Sequence, residues 1–152
     1  MSAFHYEYRV KGLQQAPAQV AGEMMEALEQ SEKGLTPETL LDANRDENAP
    51  LHNEFEWDDT LAAEKYRLKQ AGGIIRNVYR ITVETEKADY VRAFVPTGEI
   101  QNAYVSVASA LTNKQWRANL LEQAKRDMYS FQAKYRSLSE LSDVIAEMRK
   151  VG

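Results

Sequence analysis

The sequence predicts an α+β fold: a helical N-terminal half, a small antiparallel β-meander and two C-terminal helices around one core. Three observations predict it. Apolar residues recur at helical spacing behind clear start signals between residues 17 and 77. The period then drops to two, with Tyr79, Ile81 and Val83, then Val91, Ala93 and Val95, then Val105 and Val107 on alternating positions. Helical spacing returns from residue 113 and holds to the end. At 152 residues the chain has the size of one domain that buries a core without disulfides or metal, and residues 1–152 are read as a single domain.

The first segment alternates. Phe4, Tyr6, Tyr8 and Val10 share one face of a strand over residues 4–10, with His5, Glu7 and Arg9 on the other. Gly12 supplies a turn. Pro17 suits the first turn of a helix, where its missing N–H costs nothing. That helix runs to about Ser31, with Val20, Met24, Ala27 and Leu28 on its apolar side and Glu23, Glu26 and Glu29 outside. Gly34 is its stop. Thr36, Pro37 and Glu38 open a second, short helix as N-cap, first residue and dipole-compensating acid, with Leu40, Leu41 and Ala43 turned inward.

Residues 44–50 form a loop. Asp58 or Asp59 then caps a long helix to about Asn77, along which Ala62, Tyr66, Gln70 and Ile74 line one side and Leu61, Leu68 and Ile75 another. A helix apolar on two sides packs between other elements. Gly72-Gly73 weakens it by about 1 kcal/mol per glycine and permits a close approach. Turns at Glu86–Asp89 and Pro96–Gly98 connect the strands of a meander that residues 4–10 can join. Trp116, Leu120, Ala124, Phe131 and Tyr135 stripe the penultimate helix. Ser137-Leu138-Ser139-Glu140 has the form of a capping box, opening a last helix whose Leu138, Leu141, Ile145 and Met148 are spaced like a short coiled-coil seam.

Charge is distributed unevenly. Residues 1–60 carry 4 Lys+Arg against 13 Asp+Glu, a balance of −9, and residues 61–152 carry 15 against 10, a balance of +5, which together give the net −4. Such asymmetry fits a charged partner or copies of the chain meeting head to tail. The absence of cysteine excludes disulfide scaffolds and thiolate metal sites. No apolar run approaches the roughly 18–20 residues that span a bilayer, and the first residues lack the basic and apolar regions of a secretory signal. The expectation is a soluble protein of the cytoplasm with no membrane partner. No phosphate-cradling glycine motif, cysteine nucleophile or HExxH pattern is present, so neither a catalytic residue nor a cofactor is assigned and a non-enzymatic role is expected.

Three segments are candidates for function. The densest is Ala49–Asp59, where His52, Glu54 and Glu56 are the residue types of metal ligands or acid–base groups. A single histidine on a loop makes a poor catalytic frame. The simpler reading has Leu51, Phe55 and Trp57 anchoring the loop while the acids serve the next helix, and no metal is assigned.

This segment carries a resemblance. Pro50-Leu51-His52, Phe55-Glu56-Trp57-Asp58-Asp59, Ala62-Ala63, Tyr66-Arg67, Gln70-Ala71 and Ile74-Ile75-Arg76 together resemble a family of small bacteriophage and prophage proteins. The Leu35–Glu38 helix start and the C-terminal pattern Phe131, Lys134, Tyr135, Leu138, Leu141 are similar too, so the likeness spans most of the chain. Gly72-Gly73 departs from it, standing where an alanine-arginine-like continuation is expected. The resemblance implies a phage origin and transfers no catalytic residue.

The second candidate is a basic stripe. At about 100° per residue, Lys65, Lys69 and Arg76 fall within about 40° of one another on the long helix, with Gly72 between them and Arg80 on the strand that follows. A phosphate-facing stripe has this form, and so does a solvated helix face. The third is a helix-turn-helix succession over residues 17–31, 37–44 and 59–77. There Glu38, Asp42, Asp46 and Glu47 would repel phosphates from the short helix, so any DNA contact falls to Lys65, Lys69, Arg76, Arg80 and the basic C-terminal half.

The expected function is that of a non-enzymatic phage accessory protein acting as a protein-binding module, a host-factor modulator or assembly component. It would bind a host or phage protein, or a second copy to form a homo-oligomer, through its acidic surface and the helical seam of Leu138, Leu141, Ile145 and Met148. The alternative is association with DNA through the basic stripe. The pI near 5.3 favours the first, since a free-standing DNA binder is more often basic overall.

Overall fold

The fold is α+β, with two small antiparallel sheets wrapped by helices. The computed structural model describes residues 3–59, 63–83, 88–99 and 103–151. Strand β1 (His5–Tyr8) is followed by helices α1 (Ala18–Glu29) and α2 (Pro37–Ala43), a 3₁₀ turn at His52–Glu54 and helix α3 (Glu64–Asn77). Strands β2 (Val78–Val83), β3 (Ala88–Arg92), β4 (Phe94–Pro96) and β5 (Tyr104–Ser106) come next. Helices α4 (Val107–Thr112), α5 (Lys114–Tyr135) and α6 (Ser142–Val151) complete the chain.

Residues 4–10 do join the meander. β1 pairs with β2 through His5 opposite Ile81 and Tyr8 opposite Val78, and β2 pairs with β3 in turn, giving the order β1-β2-β3. The meander is split, however, because the chain bends at Ala93. The Ala93 N–H donates to the Val78 oxygen of the first sheet at 3.2 Å, while its carbonyl accepts from Val107 N at 3.1 Å. β4 and β5 then form their own two-stranded sheet, Val95 opposite Val105. The bend also reverses the alternation: Ala93 and Val95 are buried, but Val91 is exposed and Arg92 turns inward.

The main core gathers Tyr6 and Tyr8 from β1, Met25 from α1, Leu35, Leu40 and Leu41 around α2, Leu51 and Phe55 from the loop, Ile74 and Ile75 from α3, and Phe94. Val95, Val105 and Ala110 form a smaller cluster against Trp116 and Leu120 at the root of α5. Tyr8 brings its hydroxyl into the main core with no hydrogen-bond partner among the described residues. Burial and the nearby Glu54 carboxylate push its pKa from 10.0 up to about 12. The folded chain thus holds this proton more tightly than the unfolded chain does. Tyr8's share of stability is full below pH 10 and is lost as pH rises from about 10 to about 12, by about 3 kcal/mol in all. Urea midpoints at pH 8 and pH 11 check this: Tyr8→Phe is expected to match the native chain at pH 8 and lose clearly less at pH 11. Parallel losses in the two proteins would refute it.

Several local expectations hold. Thr36 caps α2, its Oγ1 accepting from Thr39 N at 3.0 Å while Thr39 Oγ1 accepts from Thr36 N at 2.9 Å, and Pro37 is the first helical residue.

Others are corrected. Gly34 does not stop α1, which ends at Glu29 with Gln30 as its cap; at φ 72° it instead closes the turn that follows, donating its N–H to the Ser31 carbonyl at 3.1 Å. The buried side of α1 is Ala21, Gly22 and Met25; Val20, Met24 and Leu28 are only half-buried and Ala27 is exposed. Its acids turn inward, Glu26 accepting from the Tyr6 hydroxyl and Glu29 from Ser106 N at 2.7 Å. Ala43 is exposed on α2. Neither Asp58 nor Asp59 caps α3, which starts at Glu64 with Ala63 before it and no side-chain cap. Val107 starts α4 instead of extending a strand, because the Ser106 side chain accepts from Ser109 N and caps the helix. Ala88 and Asp89 belong to β3, and Pro96 to β4. The last helix opens as an uncapped 3₁₀ turn at Ser139–Leu141 and becomes α-helical at Ser142. Leu61, Ala62, Glu86 and Lys87, for which the sequence predicts a helix face and a turn, lie outside the described residues.

Candidate functional site

The Ala49–Asp59 loop is stapled at nearly every polar position. Leu51 and Phe55 are buried, and the Trp57 Nε1–H donates to the His52 carbonyl at 2.7 Å while its ring stacks on His52 at 4.6 Å. His52 Nδ1 lies 2.9 Å from the Asn44 carbonyl. Glu54 Oε1 accepts from the backbone N–H groups of Gln15 and Ala16, both at 2.8 Å. The buried Arg67 of α3 holds the far end, donating Nε to the Glu56 carbonyl at 2.8 Å, pairing with Asp59 and Glu64, and lying over the Trp57 ring at 5.1 Å. Arg45 also hydrogen-bonds Glu64 and holds that carboxyl below the usual carboxylate range. His52 and Glu54 thus each commit one side-chain atom to the frame, and Glu56 commits its carbonyl together with Oε1, which accepts from Asp58 N at 3.0 Å. No group of three potential ligands converges among the described residues.

The basic stripe is brought together in part. Lys65, Lys69 and Arg76 line one shallow depression of about 310 Å³ on α3, with Gly72 at its floor and Pro37, Glu38 and Tyr104 on its far rim. None of the three cations makes an ion pair among the described residues. Arg76 folds back over Gly72, where a Cβ would stand 3.0 Å from its Nη1. Arg80 does not belong to this group. Its guanidinium lies over the Phe4 ring at 4.6 Å and borders a different cavity, of about 350 Å³, with Glu26 and Glu29.

The third surface is an arm. α5 is 22 residues long, about 33 Å at 1.5 Å per residue, and none of its residues is buried. Only its root, Trp116 and Leu120, packs on the small cluster of the β4–β5 sheet. Beyond that it is accompanied by α6, and the two enclose a groove of about 700 Å³ lined by Met128, Tyr129 and Met148 among polar residues. Phe131 and Tyr135 pack on each other at 4.9 Å. The seam residues divide: Ile145 is buried within the chain, Leu141 and Met148 are half-buried, and Leu138 is exposed. Ile145 is thus already covered by its own chain. The large exposed apolar positions of the arm are instead Leu121 (51%) and Tyr129 (74%), with Leu138, Val144 and Val151.

Leu121 and Tyr129 escaped sequence reasoning because they lie off the Trp116–Tyr135 stripe. The signal available was that α5, like α3, carries apolar residues on a second side. Arg92 escaped it because regular alternation would have turned it to solvent. Two of its guanidinium nitrogens, Nε and Nη2, are buried without a partner among the described residues. It lines an open trough of about 680 Å³ between the end of β4 and the 119–127 stretch of α5. No helix among the described residues is long and apolar enough to cross a membrane. Comparison of the chain with protein-family models, with curated proteins and with solved structures finds no match.

Proposed function

We propose that this is a non-enzymatic protein-binding module, a phage accessory protein of the host cytoplasm that works as an assembly component or host-factor modulator and associates with itself through the α5–α6 arm. The observation that carries the reading is the arm's composition against its burial. A 22-residue helix without a buried residue still presents Leu121, Met128, Tyr129, Phe131 and Tyr135, side chains that stabilise a helix mainly when something covers them. An isolated helical hairpin gains little from propensity alone, so a partner surface supplies what its own chain does not. The stapled Ala49–Asp59 loop supports the non-enzymatic side, since its chemistry-bearing groups hold the frame.

Sedimentation equilibrium over a concentration series tests this. The native chain is expected to show a multiple of its 17.3 kDa mass. Leu121→Asp with Tyr129→Asp, both exposed and outside the core, is expected to return it to a single chain without loss of helicity. A native chain that stays monomeric at every concentration would overturn self-association.

The convergence of unpaired Lys65, Lys69 and Arg76 around Gly72 favours a second reading, contact with nucleic-acid phosphates. Under it, duplex DNA binding falls steeply with salt and disappears when the three are replaced by glutamate. Glu38 on the same rim and the separate placement of Arg80 leave it the weaker of the two.

A further inference from the structure

Arg92 ends β3 with Nε and Nη2 buried and unpartnered among the described residues. Charged donors taken from water are normally matched, because leaving them unmatched costs more than leaving a neutral group so. The polar groups around it are already engaged. Glu122 pairs with Lys125 at 3.6 Å, and Asp127 accepts from Gln123 Nε2 at 2.9 Å. Arg126 donates to Gln123 Oε1 at 2.8 Å, and Asn119 Nδ2 to the Thr97 carbonyl at 2.9 Å. Arg126, exposed on the same lining, keeps further N–H groups in solvent, whereas the unmatched donors of Arg92 are buried.

We propose that the trough receives a carboxylate on Arg92, and that the carboxylate belongs to the Asp46–Glu47 loop of a second copy of this chain. Nε and Nη2 form one edge of the guanidinium fork, which matches the two oxygens of a carboxylate. Glu122 and Asp127 on the rim disfavour a doubly charged phosphate but tolerate a single charge. The trough runs open along residues 119–127, about 12 Å of helix, and so admits a chain segment where an enclosed pocket would suit a small molecule. The chain itself supplies the complementary charge: −9 over residues 1–60 against 5 Lys+Arg and 2 Asp+Glu on α5. Within the acidic half, Asp42 is paired with Arg45 and Glu54 with backbone donors; Asp46 and Glu47 are exposed and make no ion pair among the described residues, although Asp46 Oδ1 accepts from Asn48 N at 2.8 Å. The contact is head to tail, so each copy offers one trough and one loop.

This assignment rests on the self-association proposed above, and the test separates the two. Full-length Arg92→Glu and full-length Asp46→Arg/Glu47→Arg are each expected to self-associate at least tenfold more weakly than the native chain in sedimentation equilibrium. Mixed in equal amounts they are expected to associate again, since each brings the half the other has lost. Arg92→Met is expected to lose association yet unfold at no lower urea concentration than the native chain. An Arg92→Met chain that unfolds earlier would make Arg92 a structural residue and overturn the proposal. So would a mixture that fails to associate. If Arg92→Glu associates normally while Leu121→Asp/Tyr129→Asp does not, the trough is overturned and the arm stands. A monomeric native chain would remove both.

Discussion

Gly22→Ala is expected to destabilise the protein by about 3 kcal/mol, although alanine is the better helix former. In the middle of α1 the exchange should gain about 1 kcal/mol from propensity alone. The surroundings reverse the sign. β1 crosses α1 so closely that a Cβ on Gly22 would stand inside the van der Waals surface of the Tyr6 ring, against Cγ, Cδ2 and Cε2. Tyr6 cannot step aside: it is 4% exposed, it stacks on Phe94 at 6.3 Å, and its hydroxyl is tied to Glu26. Overpacking a site fixed on three sides costs more than the propensity it gains. Gly73→Ala is the internal comparison. A Cβ there meets nothing within 4 Å, so only propensity acts and the variant should gain about 0.5–1 kcal/mol. Urea unfolding of the two variants should therefore move in opposite directions. A stabilised Gly22→Ala would mean that α1 and β1 are not in contact at this residue.

Asn44→Ala is expected to cost a similar amount, about 3 kcal/mol, through unpaired backbone groups. Asn44 is wholly buried at the end of α2. Its Nδ2 donates to the Leu40 carbonyl at 2.8 Å and its Oδ1 accepts from Leu51 N at 3.0 Å. One amide thus closes a helix end and starts the stapled loop. Alanine leaves the Leu51 N–H and the Leu40 carbonyl without partners in an apolar surrounding, at about 1–3 kcal/mol each. It also leaves a small void against Met24. The loop should loosen before the rest of the molecule does, so native-state hydrogen exchange at the Leu51 amide should accelerate more than exchange in β2. Uniform acceleration throughout the chain would show that Asn44 has no special hold on the loop.

Sequence reasoning succeeded where one residue's own chemistry dictates the local backbone. Thr36-Pro37 starts a helix, and Tyr6 and Tyr8 face inward because a strand alternates. It failed where two elements meet. The buried side of α1 is Ala21, Gly22 and Met25, two of them small residues that admit β1, and a reading by apolar bulk selects Val20 and Met24 instead. Ser106 turned an apparent strand into a helix start, because one hydroxyl in reach of Ser109 N outweighs an alternating Val105 and Val107. The surface was read least well. The stripe of Lys65, Lys69 and Arg76 was visible in helical spacing, but Arg92 became legible only through the bend at Ala93, which no periodicity announces. Ile145 belonged to a seam by spacing and to the interior by folding.

The arm described above also bears on cooperativity. Among the described residues its apolar attachment to the main body is the root around Trp116 and Leu120, so little of the free energy that holds the two sheets is shared with the distal turns of α5 or with α6. In the lone chain such a unit opens on its own account, at a lower free energy than the body, and the molecule behaves as two thermodynamic blocks joined by a few contacts. Covering the arm joins those blocks. A bound partner then changes more than the occupancy of a surface: it turns a chain that melts in stages into one that melts at once.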